Sequence, residues 1–185
     1  MAQETNIKWL VTLNSTTKNG WSKIKFKNKQ GYVSSEFLRV YSSFSSSTAK
    51  KITEKVYNIQ FQAWEGFVTK KQYETIMSKG YTKKYIEAHF HQNMLPYGTD
   101  KYGNQLYTVL ETSIWGTSVE LFDWNLEYNP KKPKVTYYQK NGKDYLSVSQ
   151  YVLNEMDGYY TYTLYLSKDS KSSTWKVYNI NRKYD

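Results

Sequence analysis

Two histidines, His89 and His91, stand two positions apart in this 185-residue chain and are the first residues whose type and spacing suit chemistry. On a strand, residues i and i+2 share a face and could hold a metal between them. The surrounding pattern instead predicts a helix from Lys83 to about His91, on which i and i+2 point to different sides. No cysteine and no third histidine completes a ligand set. The pair therefore reads as two ordinary histidines at a helix end. The chain carries no nucleophile elbow, phosphate-binding loop, dinucleotide fingerprint or H-E-x-x-H. Asp144, Glu155 and Asp157 fall at turn edges, where carboxylates usually face water. Neither an enzyme nor a cofactor or metal site is expected.

Charge suggests binding instead. The chain carries a formal +10, with residues 1–55 contributing +7 and residues 56–185 contributing +3. Lys23, Lys25, Lys27 and Lys29 alternate along an expected strand, and period two would put all four on one face. Such a stripe is either a solvated face or an attractor of polyanions: nucleic acid, anionic lipid or the teichoic acids of a cell wall. The remainder is nearly charge-balanced and shows no RNA-recognition or helix-turn-helix pattern, so nucleic acid is not favoured. The residues include 20 Tyr, 6 Trp and 7 Phe, which suits half-exposed sheets better than a helical bundle. Trp115, Phe122, Trp124, Tyr137, Tyr151, Tyr160 and Tyr162 exceed what a few helices can cover, so some are expected on a binding surface.

The elements that must position these residues follow from periodicity. Ile7–Leu13 and Trp21–Lys27 read as strands, a turn is expected at Asn28–Gly31, and a third strand begins at Tyr32, closed by a helical turn near Ser34–Leu38. Residues 41–50 are Ser-rich without a period and read as a flexible tether between domains. Ile52, Val56, Ile59, Ala63 and Phe67 then form one helical stripe. Thr69 and Gln72 have capping-box spacing for a second helix, and Thr82 starts the third. Residues Leu106–Tyr128 are irregular. From Lys134 onward, turns at Asn141-Gly142 and Asp157-Gly158 separate the strands of an antiparallel meander. Trp175, in the last strand region, is expected against the first helix near Ile59 or Ala63. The fold class is α+β.

Two resemblances fit this order. The stretch N-G-W-S-K-I-K-F…K-Q-G-Y-V-S-S-E-F-L, residues 19–38, resembles the C-terminal part of a bacterial SH3 (SH3b) domain, with Asn19, Gly20, Trp21, Ile24, Gly31, Tyr32, Val33, Phe37 and Leu38 at that family's spacing. The opening strand and groove-forming loop of the family have no counterpart in MAQETNIKW, so the likeness is to an incomplete SH3-like β-barrel fragment. Residues 51–185, ending in T-W-K-V-Y-N-I, are similar to an NTF2-like domain, a cone of N-terminal helices on a curved antiparallel sheet. The combination resembles Gram-positive cell-envelope (TcaA-like) proteins.

These resemblances imply a partial SH3b-like module over 1–40, a linker over 41–50 and an NTF2-like domain over 51–185. They also imply a non-enzymatic, extracytoplasmic binding or accessory protein. The module would contact peptidoglycan or teichoic acid through Trp21, Tyr32, Lys23, Lys25, Lys27 and Lys29, and the domain would bind a protein partner, with a homodimer as one form. One alternative is an assembly scaffold of a secretion, conjugation or sporulation complex. Another is an enzyme or carrier using a cone pocket at His89, Trp115, Asp123, Tyr160 and Tyr162. No apolar run is long enough to span a membrane, and the first residues lack the apolar core of an export signal.

Overall fold

The computed structural model describes residues 11–16, 19–110, 116–154, 158–169, 171–172 and 174–185. Three antiparallel sheets and three α-helices occur among them, an α+β fold. The first sheet joins β1 (Thr12–Thr16), β2 (Trp21–Phe26) and β3 (Lys29–Ser34) in that order, and a 3-10 turn over Ser35–Phe37 follows. The expected strand at Ile7–Leu13 lies mostly outside the described residues.

The hairpin turn is earlier and tighter than the expected Asn28–Gly31. Lys27 and Asn28 take φ of 45° and 65°, the left-handed pair of a two-residue type I′ turn, and Phe26 pairs with Lys29. Because directly paired residues share a face, pairing with Phe26 puts Lys29 on the face opposite to Lys23 and Lys25. Lys23 and Lys25 share one face, Lys27 lies in the turn, and Lys29 joins Phe26, Ile24 and Ser22 on the opposite face. The single four-lysine stripe is thus corrected to a pair.

The Ser-rich segment is not a featureless tether. Val40–Ser42 forms β4, which pairs antiparallel with β8 (Lys134–Lys140). Helix α1 then runs Ser46–Trp64, with Ser45 Oγ accepting the Thr48 N–H at its N-cap. Phe44 packs between them against Tyr137 and Trp175. Serine's low hydropathy hid a strand end and a helix cap.

Helix α1 buries Ala49, Val56, Ile59 and Ala63, whereas Phe67 lies beyond its end and stays exposed. Helix α2 (Lys70–Met77) begins with the predicted capping box: Gln72 N–H donates to Thr69 Oγ1 and Thr69 N–H to Gln72 Oε1. Helix α3 (Lys83–Asn93) buries Tyr85, Ile86, His89 and Phe90. The link between α2 and α3 crosses α1 so closely that a Cβ on Gly80 would sit 2.8 Å from Ile59 Cδ1. Tyr81, fully buried there, donates its hydroxyl to Val56 O at 2.7 Å.

Part of the stretch expected to be irregular is a hairpin. Strands β6 (Met94–Thr99) and β7 (Gln105–Val109) pair with each other, and β7 also pairs with the short β5 (Val68–Thr69). Asp100 ties the hairpin's turn by accepting the N–H groups of Tyr102 and Asn104.

The main sheet has the order β11-β10-β9-β8-β4, adding β9 (Lys143–Asn154), β10 (Gly158–Asp169) and β11 (Lys176–Tyr184). Asn141 and Gly142 make the predicted turn with φ of 50° and 70°. Leu146, Val148, Tyr160, Tyr162, Leu164, Leu166 and Val177 form the inner face with the helices. Trp175 precedes β11 and is half-buried rather than buried, packed against the core and edge-on to Phe44 and Tyr137; Val177 is the fully buried residue of that strand. Asp144 is also a correction. It pairs across the strands with Lys168 and is 5% exposed, with Lys168 Nζ at 2.7 Å, so it does not face water. Glu155 and Asp157 lie outside the described residues.

Candidate binding surfaces

The predicted ligand residues divide by face. Trp21, Lys23 and Lys25 on β2 lie across from Ser34, Tyr32 and Gln30 on β3, so all six share one side of the hairpin. Trp21 is 49% and Tyr32 63% exposed, Lys25 is exposed beside them and Lys23 is half-buried. Lys27 and Lys29 do not belong to that side. Ser35 N–H donates to Gly20 O, and the Ser22 and Ser35 hydroxyls meet at 2.7 Å, which ties the end of β3 to the start of β2.

The outer face of the main sheet carries a second surface. In register across β4, β8 and β9 stand Tyr41, Tyr138 and Tyr145. The rings of Tyr138 and Tyr145 stack 4.9 Å apart at 10°, with the Arg39 guanidinium 5.0 Å from the Tyr138 ring centre. Tyr178 joins Tyr145 and Tyr165 at about the same level. A row of half-buried tyrosines on the sheet is a surface suited to a polar or mixed partner.

Three residues of the predicted cone pocket are closed off from solvent. His89, Tyr160 and Tyr162 are each at most 2% exposed. Asp123 belongs to the neighbouring loop, where its carboxylate accepts the N–H groups of Glu127, Tyr128 and Asn129. Burial opposes its ionisation, but the N–H groups of Tyr128, Glu127 and Asn129 hold it below the usual carboxylate range. Trp115 lies outside the described residues. Helix geometry separates the two histidines as expected: His89 is buried and His91 exposed. Among the described residues no group of three or more His, Cys, Asp or Glu side chains is placed to hold a metal. An open groove of about 400 Å³ runs beside Lys51, Glu54, Lys55, Asn58, Ile59 and Gln62 and shares no residue with the predicted pocket.

His89 is fully engaged. Gln60 Oε1 accepts Val119 N–H at 2.7 Å, so the same oxygen faces His89 Nε2 at 3.2 Å and must accept from it. The proton therefore sits on Nε2, and Nδ1 accepts the Tyr73 hydroxyl at 2.5 Å. Burial lowers the His89 pKa to about 4, which suits this neutral imidazole. Burial also pushes the Tyr73 hydroxyl well above its ordinary value.

What fills the pocket is residues 116–120, Gly-Thr-Ser-Val-Glu, which periodicity left as irregular. Val119 is 1% exposed. Gln60 on α1 brackets it, with Nε2 donating back to Val119 O at 3.2 Å. Arg182 on β11 donates to the carbonyls of Gly116 and, at 2.8 Å, Ser118. Its Nε meets Glu120 Oε1 at 2.5 Å, and both side chains are mostly buried. Tyr160 donates to the other carboxylate oxygen at 2.9 Å. The legible signal was polar residues on apolar helix faces: Gln60 between Ile59 and Ala63, and His89 and Asn93 in i+4 steps from Tyr85.

No protein-family model, curated protein or solved structure matches this chain. Among the described residues no helix is long and apolar enough to cross a membrane.

Proposed function

We propose that the chain is a non-enzymatic, extracytoplasmic binding or accessory protein of the Gram-positive envelope, its SH3b-like hairpin contacting a wall polymer and its NTF2-like body binding a partner. The observation that carries this reading is the hairpin face shared by Trp21, Lys23, Lys25 and Tyr32. Two cations flanked by two exposed rings suit a polymer that offers both negative charge and sugar or polyol faces, as teichoic acid does. Support for a non-enzymatic role comes from His89, whose two nitrogens are occupied by Tyr73 and Gln60.

Sedimentation with teichoic-acid-bearing walls tests the reading. The Lys23→Gln/Lys25→Gln variant should lose the salt-sensitive part of binding, because screening shortens from about 10 Å at 0.1 M salt to about 3 Å at 1 M. The Lys27→Gln/Lys29→Gln variant removes the same charge off that face and should sediment like the parent. Equal loss in both variants, or in neither, means the lysines supply only net charge or a solvated face.

A second reading, an assembly scaffold working through the open sheet, is favoured by the Tyr41–Tyr138–Tyr145 ladder. Sedimentation velocity decides it. A dimer that dissociates on Tyr138→Ser/Tyr145→Ser substitution supports the scaffold, and a monomeric parent at high concentration removes it.

A further inference from the structure

We propose that the outer face of the main sheet docks a linear acidic polysaccharide. The inference rests on the body being a partner-binding unit; wall attachment by the hairpin plays no part in it. The helices share one core with Leu146, Val148, Leu164, Leu166 and Val177 on the inner face. Along β9, residues alternate between buried and partly exposed from Asp144 to Gln150, the mark of a sheet covered on one side only. The register lays out what the other side offers. At one end stand Tyr138, Tyr145 and Tyr165, and at the other Tyr151 and Tyr159, with ring centres 6.3 Å apart at 21°. Between them lie short polar residues: Thr136 beside Ser147, Ser149 beside Thr163, and Asn181 beyond Thr163. From Tyr145 to Tyr151 the strand runs roughly 20 Å, at about 3.4 Å per residue. A low hydroxylated floor thus separates two taller aromatic banks.

Charge and composition define the ligand. Exposed Lys134 and Lys183 flank the floor on β8 and β11, and Lys131 Nζ lies 5.6 Å from the Tyr151 ring centre. The carboxylates nearby are engaged: Asp169 faces Lys143 at 3.9 Å, and Asp185 accepts the Tyr151 hydroxyl at 2.7 Å. The surplus of cations favours an anionic partner. Protein interfaces are depleted in serine and lysine, the residues that occupy the middle of this face. A second copy would also bring the same positive charge against it. An acidic polysaccharide meets all three features. Its hydroxyls bond the floor, its C–H ring faces lie on the tyrosines, and its carboxylates reach the lysines.

Calorimetric titration of the full chain carrying Lys23→Gln and Lys25→Gln, which removes the hairpin's cations, tests this face alone. Polygalacturonate, an acidic sugar chain, should bind saturably. It should bind about tenfold more tightly than dextran, which lacks charge, and than poly-glutamate, which lacks sugar rings. Adding Lys134→Gln and Lys183→Gln should weaken polygalacturonate roughly tenfold, the effect of losing two exposed charge contacts. Ser147→Leu raises the floor without altering charge and should weaken it at least as much; Thr161→Leu is the second such variant should the first fold poorly. Poly-glutamate bound as tightly as polygalacturonate would reduce the face to a patch of charge and overturn the proposal. So would a floor variant that binds like its parent, or no binding of polygalacturonate at all. Sedimentation velocity of the same samples adds one more arm: a dimer that polygalacturonate does not dissociate assigns the face to a second copy and likewise overturns it. Because the hairpin's lysines are absent from every arm, failure here leaves the hairpin's wall binding to its own test.

Discussion

Replacing Arg182 with methionine is expected to cost about 3–5 kcal/mol of folding stability, the range for breaking a buried ion pair from one side. Methionine keeps the aliphatic reach of arginine but leaves the mostly buried Glu120 carboxylate without its cation and the carbonyls of Gly116 and Ser118 without donors. The Arg182→Met/Glu120→Gln double variant should recover part of the loss, since it removes the stranded charge. Urea melts of the parent, the single and the double variant measure both values. A loss under about 1 kcal/mol, the level of surface substitutions, would mean that Arg182 does not anchor the segment.

Acid should destabilise the protein through His89 before it protonates most carboxylates. Burial lowers the pKa of His89 from 6.5 to about 4, so between those values the unfolded chain binds a proton that the folded chain refuses. Stability contributed by the neutral imidazole is full above pH 6.5 and falls as the pH drops toward 4, by about 3 kcal/mol over the window. His89→Gln retains hydrogen-bonding capacity without titrating and should flatten this part of the profile, whereas His91→Gln, on the exposed side of α3, should leave it in place. Denaturant midpoints from pH 7 to pH 4 supply the comparison. A slope that persists in His89→Gln would assign the acid sensitivity to carboxylates instead.

Elements whose signals are local were legible in the sequence. The α1 stripe is carried by Val56, Ile59 and Ala63, α2 by the Thr69–Gln72 capping box, and the β8–β9 turn by Asn141-Gly142. Where a choice depended on pairing at a distance, the sequence was silent. Val40–Ser42 becomes a strand only because β8 is there to receive it. The tight turn at Lys27–Asn28, in place of the expected Asn28–Gly31, put Lys29 on the other face, a difference that composition does not encode. His89, Tyr160 and Tyr162 suggested an open pocket, but all three are buried. The covering segment has no periodicity because its bonds go to side chains rather than to a ladder. Gln60 and Asn93 on otherwise apolar helix faces were the trace it left.

The order of elements along the chain has a consequence for biosynthesis. Helices α1 to α3 are complete by Asn93, yet the inner face that covers them comes from strands ending at Tyr184, and the Val177 backbone is what ties down Gly80 and Thr82. At translation rates of about 5–20 residues per second, the apolar side of α1 waits on the order of ten seconds for its sheet. The meander can zip hairpin by hairpin once made, because each of its strands pairs with the next, whereas β4 must hold its place until β8 appears. The nascent chain therefore exposes the apolar side of α1 until β11 emerges, a state suited to capture by a holdase.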